Sequence, residues 1–447
     1  MSNNKDFKVK NGILPTSYQE GLGTVTISGS TATLDLSTGS VFDLTPTSDV
    51  QVTLSNPAAS GTVSQATLLL KAEESTGVGS TFSTTLYTGN GGTQTITNGI
   101  DLAGEGGFVW TKDRTGSGNN WVWDTERGAT KSLATNTTNA ENTRSNGLTA
   151  FNSNGFTLGD YSGINANNNN FVSWTWRKSP KFFTMVTWSG NSTMGRTISH
   201  DLGADVGLIL IKAVDNADAW YALHKDSNML VLNQTSAEYS VATTADYFGD
   251  GTNIVRPTST EFTIGSDAGI NGNGYNYIAY LFAHETDANS RIKCGSYTGN
   301  GSNTGPVINL GWEPQWLMFK NISASSRESV ACDWIVVDNV RGIEPSMRKL
   351  EPNTSDAEAG QGAGLNVTST GFQIDDFNRV LNFSGDTFIY VAIRNSSIPT
   401  ITYDPALEWP NGTAPTAPAD GETDVITFNT SDGGTTYSAV QAIDGAK

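Results

Sequence analysis

The sequence predicts an all-β protein in which three homologous β-sandwich-like units are inserted into a small, discontinuous β domain. Three observations lead there. Short apolar runs alternate with Ser, Thr, Asn and Gly, and helix-forming sequence is nearly absent. A set of landmarks recurs three times in the same order, about 100 residues apart. Both ends of the chain lie outside that recurrence yet carry strand patterns of their own.

The landmarks begin with Leu86-Tyr87-Thr88-Gly89-Asn90-Gly91, matched by Thr187-Trp188-Ser189-Gly190-Asn191-Ser192 and by Ser296-Tyr297-Thr298-Gly299-Asn300-Gly301. An apolar strand ending in lysine follows each: Gly107 to Lys112, Gly207 to Lys212, and Gln315 to Lys320. Then come Trp121, Trp220 and Trp334, each opening a short strand after a polar turn. The segments Asn136 to Glu141, Asn233 to Glu238 and Asn353 to Glu358 share an Asn-x-x-x-Ala-Glu frame. Strands holding Phe156, Phe262 and Phe372 come next, and each unit closes on an apolar strand, Phe171 to Arg177, Tyr277 to Ala283 or Phe388 to Arg394. In the first closing strand, alternation puts Val172, Trp174 and Trp176 on one face and Phe171, Ser173 and Thr175 on the other, which predicts one face in a core. In the other two both faces are apolar, which predicts a central strand or a face covered by a neighbouring unit.

The resulting division is a 1–20 attachment segment, a carrier β module split into 21–83 and 399–447, and units at 84–178, 179–291 and 292–398. The carrier's first half reads as strands at Thr24 to Ile27, Ala32 to Leu36 and Val50 to Leu54. Its second half reads as Thr400 to Tyr403, Val425 to Phe428 and Thr435 to Val440, with Asp432-Gly433-Gly434 as a hairpin turn. Pro399 and the Pro410 to Pro418 stretch mark the return to the carrier as stiff and extended.

Charge and chemistry narrow the function classes. A formal net charge of -18 repels phosphate backbones and anionic membranes, so neither nucleic acid nor membrane is an expected partner. No apolar run approaches the roughly 20 residues a membrane helix needs, and no signal peptide follows Met1, so the expectation is a product made in the cytoplasm. Cys294 and Cys332 read as small buried hydrophobes rather than a disulfide or zinc set. His200, His224 and His284 lack metal-ligand spacing and read as surface residues. No nucleophile elbow, P-loop or H-E-x-x-H occurs, so no catalytic residue, cofactor or metal is assigned.

Asp246, Asp250 and Asp267 in Gly-rich loops have oxygen ligands for calcium but no EF-hand spacing, and they read as turn residues. The three tryptophans read as equivalent core positions, and Asp124 with Arg127 and Asp338 with Arg341 as structural braces. The loop from Tyr239 to Glu261 is longer than its counterparts. Its Tyr247, Phe248 and Asp250 are the candidate receptor contacts, against the alternative of an insertion packed on a neighbouring unit. The Asn167 to Asn170 tract reads as a polar turn.

Asp35 to Phe42 with Leu54 to Gly61, and Trp409 to Pro415 with Thr430 to Tyr437, resemble the two halves of a β module of tail-fibre-like proteins of marine phages, notably cyanophages. The units, with Asp124-Thr125-Glu126-Arg127-Gly128 and Asp338-Asn339-Val340-Arg341-Gly342, resemble an uncharacterised domain found in multiple copies in marine-phage virion proteins. The second unit departs from that pattern at Leu223-His224-Lys225-Asp226, and Lys5 to Gly12 resembles an N-terminal segment of such fibres. The resemblance implies a virion-surface protein assembled in the host cytoplasm, a tail fibre or fibre-like subunit acting in host attachment. Its implied partners are other virion proteins, a host surface glycan or protein, and two further copies in a homotrimer. The alternatives are a capsid or tail decoration protein with no receptor of its own and, behind it, a fibre-borne polysaccharide depolymerase.

Overall fold

The computed structural model describes residues 22–446 apart from 29–30, 45–49, 62, 72–77, 288–289, 328–329, 344–346, 361–363, 376–379, 396–400, 404–406, 410–413, 415–422 and 431–434. The 1–20 segment, Pro399, most of the Pro410 to Pro418 stretch and the 432–434 turn therefore lie outside the described residues. The protein is mostly β, 49% strand and 6% helix, with antiparallel sheets predominating. The chain divides into two compact units, residues 1–75 with 397–447, and residues 76–396.

The first unit is built from both ends of the sequence. Val25–Ser28, Thr31–Asp35, Val50–Ser55 and Ile401–Tyr403 form one sheet, in which Ile401 pairs in parallel with Val50. A second sheet runs Val41–Leu44, Ser64–Lys71, Thr423–Thr430, Tyr437–Ala446 and Leu407–Glu408, with Ile426 opposite Leu68. Period-2 alternation sends Ala32, Leu34, Val50, Val52, Leu68, Leu70, Ile426 and Phe428 into one core between them.

In the second unit, the strands form three large sheets, each faced by a smaller one. The first large sheet runs Asn142–Thr143, Lys131–Ala134, Trp121–Asp124, Gly107–Asp113, Asn170–Arg177, Phe82–Thr88. The next runs Phe183–Ser189, Asn276–His284, Asp205–Ala213, Trp220–His224, Met229–Val231. The last runs Ile292–Thr298, Thr387–Arg394, Pro314–Asn321, Ile335–Asp338. In each, the closing strand lies between the edge strand and the strand that carries the lysine. Val78 and Phe82 belong to the core of this unit, so it begins several residues before the expected boundary at 84.

Both faces of the central strands of every large sheet are buried. One face meets the small sheet: Phe171, Trp121, Trp123 and Phe156 pack there in the first pair, Phe319, Phe372, Phe388 and Tyr390 in the third. The other faces of all three sheets share a single aromatic core. Trp176 lies 4.9 Å from Phe82, 5.9 Å from Phe282 and 5.5 Å from Trp316, ring centre to ring centre. Phe108 meets Phe183 at 5.8 Å and Tyr280 at 4.8 Å. Ser173 and Thr175 are also fully buried, so the first closing strand has no solvent face, contrary to the one-faced reading of its alternation. Its hydroxyls mislead because they are paired inside, Thr175 accepting from Asn98 Nδ2 at 3.0 Å. Gly207 sits where the strand register slips by one, and a Cβ there would lie 2.4 Å from Cys294 Sγ, so the close approach of these sheets requires glycine.

Candidate functional site

The long loop of the second sheet pair is more ordered than its sequence suggests. Val241–Tyr247 is a helix whose N-cap Ser240 accepts Thr243 N–H at 3.2 Å. Phe248 is 1% exposed, and the Tyr247 ring packs on Tyr221 with centroids 4.8 Å apart. The Tyr221 hydroxyl donates to Asp218 at 2.8 Å, and burial pushes the Tyr247 phenol up to about 12. Asp250 is exposed, and its carboxylate accepts Thr252 N–H and Asn253 N–H, which holds it below the usual carboxylate range. Of the three candidate contacts, Asp250 alone is presented to solvent. Phe248 points inward as a core residue, and Tyr247 is half-covered by Tyr221. Asp246 and Asp267 do not join it in a metal set; among the described residues no group of three or more His, Cys, Asp or Glu could hold a metal ion.

The more heavily built feature lies at the joints between sheet pairs, and sequence reasoning did not locate it. Lys112, Lys212 and Lys320 are buried to 0%, 0% and 1% exposure at the ends of their strands. Lys112 Nζ donates to the carbonyls of Gly118 and Ser355; Lys212 to Ala213 and Asn216; Lys320 to Thr235, Asn321 and Cys332. Burial brings each ammonium down to about 8. A buried ammonium needs such acceptors, because an unpaired charge there costs several kcal/mol.

Around each lysine the same bonds recur between different sheet pairs. Glu358 N–H donates to Arg114 O at 3.1 Å, Glu141 N–H to Val214 O at 2.7 Å, and Glu238 N–H to Ile322 O at 3.0 Å. Each acceptor stands two residues beyond its lysine, and each glutamate closes an Asn-x-x-x-Ala-Glu frame. Indole N–H groups cross two joints, Trp220 to Ala134 O at 2.9 Å and Trp334 to Val231 O at 3.2 Å. At the remaining joint the crossing group is Asn120, whose amide donates to Glu351 O and Thr354 O.

This overturns the expected equivalence of Trp121 with the other two tryptophans. Trp220 pairs across the sheet with Lys212, whereas Trp121 pairs with Thr111, one residue short of Lys112. A one-residue offset turns a side chain to the opposite face, so Trp121 enters the core between the first pair's own sheets and Asn120 takes the joint position. Trp121 there carries the Arg144 guanidinium 4.4 Å from its ring centre.

Carboxylate braces reinforce two joints. Asp338 Oδ2 lies 2.6 Å from Arg341 Nε and accepts the Trp174 indole N–H at 2.9 Å from the first sheet pair. Asp124 Oδ2 lies 2.6 Å from Arg127 Nε and accepts the Tyr280 hydroxyl at 2.7 Å from the second. Although burial opposes its charge, Asp124, Tyr280 and Glu141 together hold Arg127 above its usual range. At the third joint His224 stands in the aspartate's place. It is fully buried rather than at the surface: Nδ1 accepts Asp226 N–H at 3.1 Å, which leaves Nε2 to donate to Tyr390 O at 3.2 Å. Burial pushes its imidazole down to about 3. His200 and His284 are half-buried, also against the surface reading, and Cys332 is half-buried where a core position was expected; Cys294 is buried.

Buried asparagines explain the Gly-Asn landmarks. Asn165, Asn271 and Asn382 each accept the backbone N–H of Asn90, Asn191 or Asn300, at 2.9, 3.1 and 2.8 Å, and donate to carbonyls of the same loops. Their recurrence could have been noticed, as each lies five residues before its closing strand begins.

Residues 78–397 match the family described as a domain of unknown function (DUF7483). No curated protein matches the chain.

Proposed function

We propose that this chain, which belongs to the DUF7483 family, is a structural protein of a bacteriophage particle, a tail fibre or fibre-like appendage subunit that contributes to host-surface recognition. In this reading the three sheet pairs of residues 76–396 are copies of one β unit carried by a split module at the two ends of the chain.

The observation that carries the proposal is the set of joints. A binding module that must open and close is drawn from weakly held elements. Here backbone hydrogen bonds and an aromatic core hold every sheet pair to its neighbours, and at two joints a fully buried ammonium crosses as well, which suits a permanent building block exposed to dilution outside the cell. The fibre resemblance of residues 35–42, 54–61, 409–415 and 430–437 supplies the location. Assembly as a homotrimer, contact with other virion proteins and contact with a host glycan or protein belong to the same proposal, with exposed Asp250 left as the receptor-side candidate. The role is non-catalytic: purified protein should release no reducing sugar from host polysaccharide.

Mass spectrometry of gradient-purified particles tests the proposal. The chain should be present in a fixed ratio to the major structural proteins, and its confinement to the soluble lysate would refute the assignment.

A further inference from the structure

The joints run in one direction round a cycle. The first sheet pair's lysine-bearing strand end contacts the third pair's Glu351 to Glu358 segment. The second pair's strand end contacts the first pair's Ala134 to Glu141 segment, and the third's contacts the second's Val231 to Glu238 segment. No sheet pair is left with an open strand end or an open acceptor segment. The brace residues follow the same order, Trp174 of the first pair reaching Asp338 of the third, Tyr280 of the second reaching Asp124 of the first, and Tyr390 of the third reaching His224 of the second.

Head-to-tail contacts between like bodies make either an open filament or a closed ring. We infer that the lysine-bearing strand end and the Asn-x-x-x-Ala-Glu segment are the two halves of a homotypic docking surface whose fitting partner is another copy of the same β unit, and that this chain satisfies it internally as a covalent trimer closed in cis. The inference rests on reading the three sheet pairs as copies of one unit.

The matching is chemical as well as geometric. The strand end offers a carbonyl two residues past the lysine, and the segment offers the glutamate N–H that fills it; the segment in turn offers the carbonyl three residues before that glutamate. Gly118 N–H takes this carbonyl at Ser355, Asp218 N–H takes it at Thr138, and Lys320 Nζ takes it at Thr235. Arg114 and Glu358 add an ion pair at 2.8 Å to the joint between the first and last bodies, which tandem connection alone does not bring together. Because all three surfaces are used within one chain, association of the whole protein into a homotrimer proceeds through other residues.

Cysteine pairs placed in the full-length chain, in a Cys332→Ser background, test the closure. The pair G118C/S355C spans the closing joint, and T138C/D218C spans a joint between consecutive bodies; backbone atoms 2.8 Å apart at both sites bring the chains within disulfide range. After mild oxidation, denaturing non-reducing electrophoresis should show both variants as faster-migrating single chains, with thiol titration confirming loss of the two new cysteines. Covalent dimers and higher species from G118C/S355C would show that the joint closes between chains and overturn the inference. Failure of that pair to cross-link in a variant that melts like the parent would do the same. Cross-linking of G118C/S355C with none in a normally folded T138C/D218C would leave the ring closed but reject the reading of the three bodies as copies. If the first pair fails to fold, R114C/E358C, where Glu358 N–H meets Arg114 O at 3.1 Å, tests the same closing joint with the same outcomes.

Discussion

Replacing Asp338 with alanine removes three hydrogen bonds at once. Its carboxylate accepts Arg341 N–H at 2.9 Å, Arg341 Nε at 2.6 Å and the Trp174 indole N–H at 2.9 Å. Both charged side chains are fully buried, so the variant leaves a guanidinium whose remaining polar partners among the described residues are Val336 O at 3.0 Å and Glu358 at 3.5 Å. Removing one member of a buried ion pair costs about 3–5 kcal/mol. Stranding a buried indole N–H costs about 1 kcal/mol more. A total of about 4–6 kcal/mol is a large share of the roughly 5–15 kcal/mol that stabilises a typical domain. Urea unfolding followed by tryptophan fluorescence, with calorimetry to test whether the transition stays single, reads the loss. Asp338→Asn, which keeps an acceptor but not the charge, should fall between the two. An Asp338→Ala protein within about 1 kcal/mol of the parent would refute the claim that this brace holds the joint.

Trp220→Ala should cost about 3–5 kcal/mol, because it empties a core site and removes the indole hydrogen bond to Ala134 O across the joint, and calorimetry checks it. Phe248→Ala should cost about as much while Asp250→Ala changes the melting temperature little, so deletion of 246–251 is destabilising rather than neutral; melting curves of the three variants decide this. Acid should weaken the fold through His224: the unfolded chain takes up a proton near pH 6.5 that the folded site refuses down to about 3, so stability is complete above about pH 6.5 and declines as pH falls. About 2 kcal/mol should be gone by pH 5. Asp226 opposes this shift, Lys225 and His284 favour it, and His200 and His284 are lowered as well, so His224→Gln should reduce the slope of stability against pH without abolishing it.

What the sequence made legible followed from local periodicity. The all-β class came from two-residue alternation, and the apolar second and third closing strands correctly implied a covered second face. The lysines at the strand ends were visible as landmarks, but two of them, Lys112 and Lys320, are satisfied in part by carbonyls more than 80 residues away, at Ser355 and Thr235. Trp121 was misaligned because residue type was matched where strand register decides, and register is fixed by the partner across the sheet. His224 looked like a surface residue since its burial comes from Tyr390, 166 residues later. The helix at Val241–Tyr247 had a readable signal in Ser240, a helix-capping residue that was passed over in a stretch taken for loop.

The central claim, a structural protein displayed on a phage particle, is tested most directly by negative-stain microscopy of purified particles labelled with gold-conjugated antibody against this chain. Gold at a fixed position along the tail fibres or their tips is the predicted result. Unlabelled particles, with the antigen recovered free in the lysate, would contradict it.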